Sequence, residues 1–70
     1  MSNSVFQKVE LVGTSNTTIT DAISNAIASA SGTVPNISWF EVQEIRGHVE
    51  SGKVSQYQVV VKVGARLGSV

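Results

Sequence analysis

Trp39-Phe40-Glu41-Val42-Gln43-Glu44-Ile45-Arg46-Gly47-His48 is the stretch that decides how this chain folds. Its residues alternate as in a β-strand, with Phe40 and Val42 pointing one way and Trp39, Glu41 and Gln43 the other. Adjacent aromatics on a strand must face opposite sides of the sheet. Phe40 shares its side with Val42 and is assigned to the core, which leaves Trp39 on a polar face. The chain has a single tryptophan, and on such a face it needs a cover: another subunit, a flat ligand, or both.

To either side of this stretch the pattern is a strand over residues 38–49, a turn over 50–53, and a third strand from 54 or 55 to 67. In that third strand Tyr57, Val59, Val61, Val63 and Ala65 form an apolar face, and Gln56, Gln58, Val60, Lys62 and Arg66 the other. Upstream, Ile19, Ala22, Ile23, Ala26, Ile27 and Ala30 recur with helical spacing as one apolar stripe. Thr18 and Asp21 resemble a capping box at its start, Gly32 is the expected stop, and Pro35 prevents continuation. A first strand is expected over residues 5–12, with Gly13 breaking it, after a polar, flexible tail of residues 1–4. The order is β-α-β-β, an α+β chain read as one domain over 1–70: a three-stranded antiparallel sheet with the helix across one face. The other face carries Lys8, Glu10, Trp39, Glu41, Gln43, Gln58 and Lys62.

Composition narrows the function. Seventy residues bury too little surface for comfortable stability, and such small chains usually add disulfides, a metal or self-association. There is no cysteine, and one histidine among scattered acids is poor material for a metal cage. Self-association remains. Five basic and five acidic residues give no net charge, which argues against nucleic acid as a partner. Charged residues make up only 14% of the chain, a shortage that fits a surface covered by copies of itself. No apolar run is long enough for a membrane span or a signal peptide, so the expected location is cytoplasmic.

Trp39 and Gln58 both project from the bare face, on strands joined by a hairpin. An indole offers a stacking plane, and a glutamine amide offers an acceptor and donors in one plane. The pair suits a flat heteroaromatic with alternating carbonyl and N–H edges, such as a flavin; the competing reading makes Trp39 plain interface packing. Arg46 suits a ligand contact or an intersubunit ion pair with a neighbouring copy's acid such as Glu10 or Glu44. His48 lacks a second histidine or an orienting partner for metal or base chemistry. Ser15, Asp21 and His48 supply triad residue types, but no nucleophile elbow surrounds any serine. Gly13-Thr14-Ser15 at a helix start has the form of a phosphate cradle without its lysine, and reads better as a turn.

With these residues in view the chain resembles the dodecin family. The matching segments are Val9-Glu10-Leu11-Val12-Gly13-Thr14-Ser15, Trp39-Phe40-Glu41-Val42-Gln43-Glu44-Ile45-Arg46-Gly47, Tyr57-Gln58-Val59 and Val63-Gly64-Ala65-Arg66-Leu67. The resemblance implies a protomer whose sheet wraps one helix, a hollow dodecamer of cubic symmetry, and non-catalytic binding of flavins stacked between tryptophans of symmetry-related subunits. It assigns stacking to Trp39, recognition of the isoalloxazine edge to Gln58, and a place at the flavin to Arg46, with FMN favoured over riboflavin. Storage and photoprotection are the implied roles. Some bacterial members also bind coenzyme A through basic residues, a part matched by Arg66 and Lys8, while Gln7, Ser29 and Ala65 stand where relatives often carry basic or aromatic side chains. The rival readings are a structural oligomer and, more distantly, a flavin-dependent redox enzyme.

Overall fold

The structure, a computed structural model, describes residues 3–69. Strand β1 (Ser4–Ser15) leads to helix α1 (Ile19–Ser31), followed by β2 (Ile37–Glu50) and β3 (Lys53–Ser69). The three strands form one antiparallel sheet in the order β1-β3-β2. β1 already begins at Ser4, which pairs with Ser69, so the last residue of the expected tail belongs to the sheet. Met1 and Ser2 lie outside the described residues.

The helix forms as its stripe predicts. Ala22, Ala26 and Ala30 are buried against Val59, Val61 and Val63, with Ile19, Ile23 and Ile27 partly buried beside them. Thr18 caps it, its hydroxyl accepting from the Asp21 N–H at 2.9 Å. The return half of the expected capping box runs through a third residue: the Thr18 N–H donates to Ser15 Oγ at 3.3 Å, and Ser15 Oγ donates to Asp21 Oδ2 at 2.8 Å. Ser15 Oγ also accepts from the Thr17 N–H, so the chain's own hydroxyl occupies the helix start, where the sequence reads against a phosphate. Gly32 ends the helix in an ordinary right-handed conformation, and the left-handed residue is Asn36, after Pro35.

Gly13 does not break β1. It lies within the strand, two residues before its end and under the helix, where a Cβ would run into the carbonyl oxygen of Ala22 and come within 2.8 Å of Ala26 Cβ. The missing side chain therefore lets helix and strand meet at backbone distance, which is a packing role and not a turn.

The helix packs on β1 and β3, and geometry limits its reach. Thirteen helical residues span about 20 Å, whereas the seventeen residues of β3 span about 56 Å. The protomer is accordingly drawn out to 57 × 20 × 14 Å, with a radius of gyration of 14.6 Å against about 11 Å for a compact chain of this length. The hairpin end of β2 and β3 projects past the helix. Its turn places Ser51 and Gly52 at positive φ, the geometry of a tight two-residue hairpin.

This corrects the expectation for Phe40. It pairs with Val63 and Val42 pairs with Val61, so both lie on the helix side of the sheet as expected. Neither is covered: Phe40 is 47% and Val42 39% exposed, because β2 is the edge strand beyond the helix. Among the described residues ten large apolar side chains are exposed, while the buried core holds valines and alanines alone.

Gln43 also departs from simple alternation. The register slips between Val42 and Glu44, leaving Gln43 as the extra residue of a bulge. Beyond it the faces swap parity: Ile45 pairs with Val59 on the helix side, and Arg46 pairs with Gln58 on the opposite side.

Gly13→Ala is expected to lower protomer stability by about 1–3 kcal/mol, since an added methyl must push the helix off β1. Chemical denaturation followed by circular dichroism checks it; an unchanged midpoint would contradict the close approach.

Candidate functional site

The face of the sheet opposite the helix carries every residue singled out for ligand contact. Trp39, Arg46, Gln58, Lys8 and Arg66 all occupy its register positions. They fall into two groups at opposite ends.

At one end stands Trp39, paired with Gly64 on the central strand. A Cβ on Gly64 would fall among Cε2, Cζ2 and Cη2 of the indole, so the ring lies directly on the glycine backbone. Phe6 of β1 meets it edge-on, with ring centroids 5.1 Å apart and planes at 61°. The indole N–H donates to Glu41 Oε2 at 3.0 Å, and Glu41 Oε1 pairs with Lys8 Nζ at 2.9 Å. Trp39 remains 37% exposed, leaving ring surface for a second flat partner. Glu41 titrates below the usual carboxylate range, first because Lys8 binds its charged form, next because of the indole N–H, with Lys62 adding through space. Lys8, expected as a phosphate contact, is engaged in this network.

At the other end stand Gln58 and Arg46. Arg46 Nε donates to Gln58 Oε1 at 3.2 Å, and Arg46 Nη1 pairs with Glu44 Oε1 at 3.1 Å. Gln58 Nε2 donates to Gln56 Oε1 at 3.0 Å. A guanidinium has no acceptor, so the Gln58 oxygen must face it, which fixes which end of the amide is which. Within the protomer Arg46 pairs with Glu44 of its own chain, where the sequence suggests a pair between subunits.

Gln58 lies six residue steps along β3 from Gly64, which puts Trp39 roughly 20 Å from Gln58. The structure places both on one face but does not bring them together within one protomer. A single ligand could touch both only where two copies meet.

Arg66 lies near the Trp39 end of β3. It lines a hollow of about 490 Å³ with Asn36, Ile37, Ser38, Leu67 and Gly68, and its backbone N–H donates to Asn36 O at 3.0 Å. A second, apolar hollow of about 210 Å³ lies on the helix side of the hairpin, bounded by Ile19, Ile45, Val49, Val54 and Tyr57. His48 is exposed at the hairpin end, 3.7 Å from Glu50. Ser15 and Asp21 are hydrogen-bonded on the helix side, the opposite side of the sheet from His48, so the triad residue types do not meet.

Sequence reasoning named Trp39 but missed what holds it: Gly64 beneath, Phe6 at its edge, Glu41 at its nitrogen. A glycine inside a valine-rich strand was the available signal, since strand interiors disfavour it unless something approaches closely.

The chain matches the Dodecin family model over residues 5–68. A curated dodecin from Thermus thermophilus is 51% identical over 63 residues, covering 90% of this chain and 91% of that one. A crystal structure of a Thermus thermophilus protein superposes with a TM-score of 0.91 at 47% identity, covering 97% of this chain and all of the other. The structure of a dodecin from Streptomyces coelicolor gives a TM-score of 0.91 at 43% identity, covering 97% of each chain.

The Glu41 network sets a pH dependence. The folded-state pKa lies below the unfolded value, so the contribution of this contact is complete above the ordinary glutamate range. It is lost as pH falls through the lowered value. A carboxyl NMR titration should show Glu41 with a midpoint below that of free glutamate, returning toward it in Lys8→Met. An ordinary midpoint in the parent would contradict the network.

Proposed function

The chain belongs to the dodecin family, and from that premise we propose that it is a non-catalytic flavin-binding protein that works as a homododecamer. The observation that carries this reading is the Trp39 indole, seated flat on the sheet with ring surface exposed on a face no element of the protomer covers. A flavin fits it chemically: stacking needs ring area, and the edge of an isoalloxazine needs a planar donor–acceptor group such as the Gln58 amide. Because Trp39 and Gln58 of one chain stand roughly 20 Å apart, the proposed site takes its stacking ring and its edge reader from different copies. Self-association and ligand binding are then one requirement.

In this reading Trp39 stacks the ring, Gln58 reads its edge, and Arg46 orients the Gln58 amide while presenting charge to an FMN phosphate. An indole against a flavin also gives the excited ring a rapid non-radiative route to its ground state, which supports storage with photoprotection over turnover; the cytoplasm is the proposed location. FMN or riboflavin is the proposed ligand. Coenzyme A contact rests on Arg66, which lines the larger hollow; Lys8 is held by Glu41. The competing reading, a structural oligomer in which Trp39 only packs against a neighbour, draws on the same exposed apolar residues and predicts a colourless protein.

Native mass spectrometry is expected to give a dodecamer, and the purified protein to release a flavin on denaturation. Trp39→Ala should weaken riboflavin and FMN alike, by about 1–3 kcal/mol per stack. Gln58→Ala should cost about 0.5–1.5 kcal/mol and spare analogues lacking the ring-edge carbonyls. Arg46→Ala should penalise FMN more than riboflavin. Fluorescence titrations read all three, and a Trp39→Ala protein that binds and quenches flavin like the parent would end this reading.

A further inference from the structure

Most exposed aromatic side chains move among rotamers, and the outer torsion of an indole has a broad, roughly two-fold profile. Trp39 is restrained against both motions by groups from all three strands. Gly64 of β3 lies under the six-membered ring, Phe6 of β1 closes one edge, and Glu41 of β2 accepts the ring N–H at 3.0 Å. The carboxylate is itself fixed, its other oxygen held by Lys8 of β1 at 2.9 Å.

We propose that Gly64 and Glu41 are positioning residues that set the Trp39 indole in its stacking orientation before any ligand arrives. This rests on the reading of Trp39 as the stacking surface. Gly64 acts by what it lacks. Any side chain there starts with a Cβ inside the space of the indole ring, and Gly64 lies in the central strand, whose backbone is hydrogen-bonded on both sides and has little room to shift. The ring would have to rise off the sheet or swing outward. Glu41 selects between the two flips of the ring. An indole nitrogen is a donor only, so the flip that turns it toward the carboxylate gains a charge-assisted hydrogen bond and the other loses it. Ordering the ring is thereby completed during folding, and a ligand meets a surface already flat.

The single tryptophan makes this testable without ligand. In flavin-free protein the long-wavelength indole bands of near-UV circular dichroism, and the anisotropy of indole emission, report on Trp39 alone. Gly64→Ala is expected to collapse those bands and to weaken riboflavin binding by roughly 5- to 150-fold, the range one lost stack spans. Glu41→Ala should lower both signals in part. Glu41→Gln, whose amide oxygen can still accept the N–H, should restore them. If Gly64→Ala does not fold, the Glu41→Ala and Glu41→Gln pair decides alone, since neither adds bulk. Parent-like indole bands and anisotropy in Glu41→Ala would overturn the proposal. A parent that shows the ordered indole but binds no flavin would instead overturn the proposed function, so the two failures are told apart.

Discussion

The close approach of helix to sheet is the constraint on which the rest depends. Gly13 without a side chain and Ala22, Ala26 and Ala30 with one carbon each let α1 lie on β1 and β3 at backbone distance. The result is a tight but thin core of alanine on valine. Bulkier residues in the stripe would bury more surface, yet they would lift the helix and lose the contact with Val59, Val61 and Val63. With the core so small, Phe40, Val42, Ile45, Val49 and Val54 stay in water on the same side of the sheet. Burying any one of them fully would contribute about 1.5–3 kcal/mol. That is a large fraction of what a chain of this size can hold on its own. The missing cover has to come from outside the protomer.

The opposite face reaches the same conclusion through polar chemistry. Its side chains are tied into two local networks, Trp39–Glu41–Lys8 at one end and Glu44–Arg46–Gln58–Gln56 at the other. Each leaves a planar group at the surface, an exposed indole in one case and a half-buried amide in the other. Exposed ion pairs such as Lys8–Glu41 add little to stability. In the proposed role their value is geometric, because they hold those planes in place. Two fixed planes roughly 20 Å apart serve one flat ligand only when neighbouring copies bring unlike ends together.

Much of this was legible in the sequence. The helix stripe, the hairpin turn, the element order and the placement of Trp39 and Gln58 on the bare face all follow from periodicity, which reports side-chain direction. What periodicity does not report is lateral extent. Phe40 and Val42 point toward the helix side, but direction alone could not show that α1 stops short of β2. Gly13 was misread for a related reason. A glycine before a cluster of serine and threonine looks like a turn, and only the partner helix shows it to be a contact point. Gly64 carried the same kind of information and drew no inference at all. Family resemblance named the ring and the amide, but the separation between them is a property of strand register, visible once the pairing of β2 with β3 is known.

The bulge at Gln43 shows how one strand serves both demands. Apolar residues at Phe40 and Val42 are followed by the next apolar residue three positions on, at Ile45. That step breaks the period of two, and in an unbulged strand it would turn Ile45 onto the polar face and Arg46 into the apolar one. The extra residue absorbs the change of parity. Upstream of it, β2 sends Phe40 and Val42 to the helix side and Trp39 to the other; downstream it sends Ile45 to the helix side and Arg46 beside Gln58. A single inserted residue thus keeps the apolar row continuous along the helix side of the strand. It also keeps the Trp39 indole and the Arg46 guanidinium on one surface. The irregularity in the alternation is what lets a fourteen-residue strand present an apolar row to the helix side and polar groups to the opposite face on both sides of the bulge.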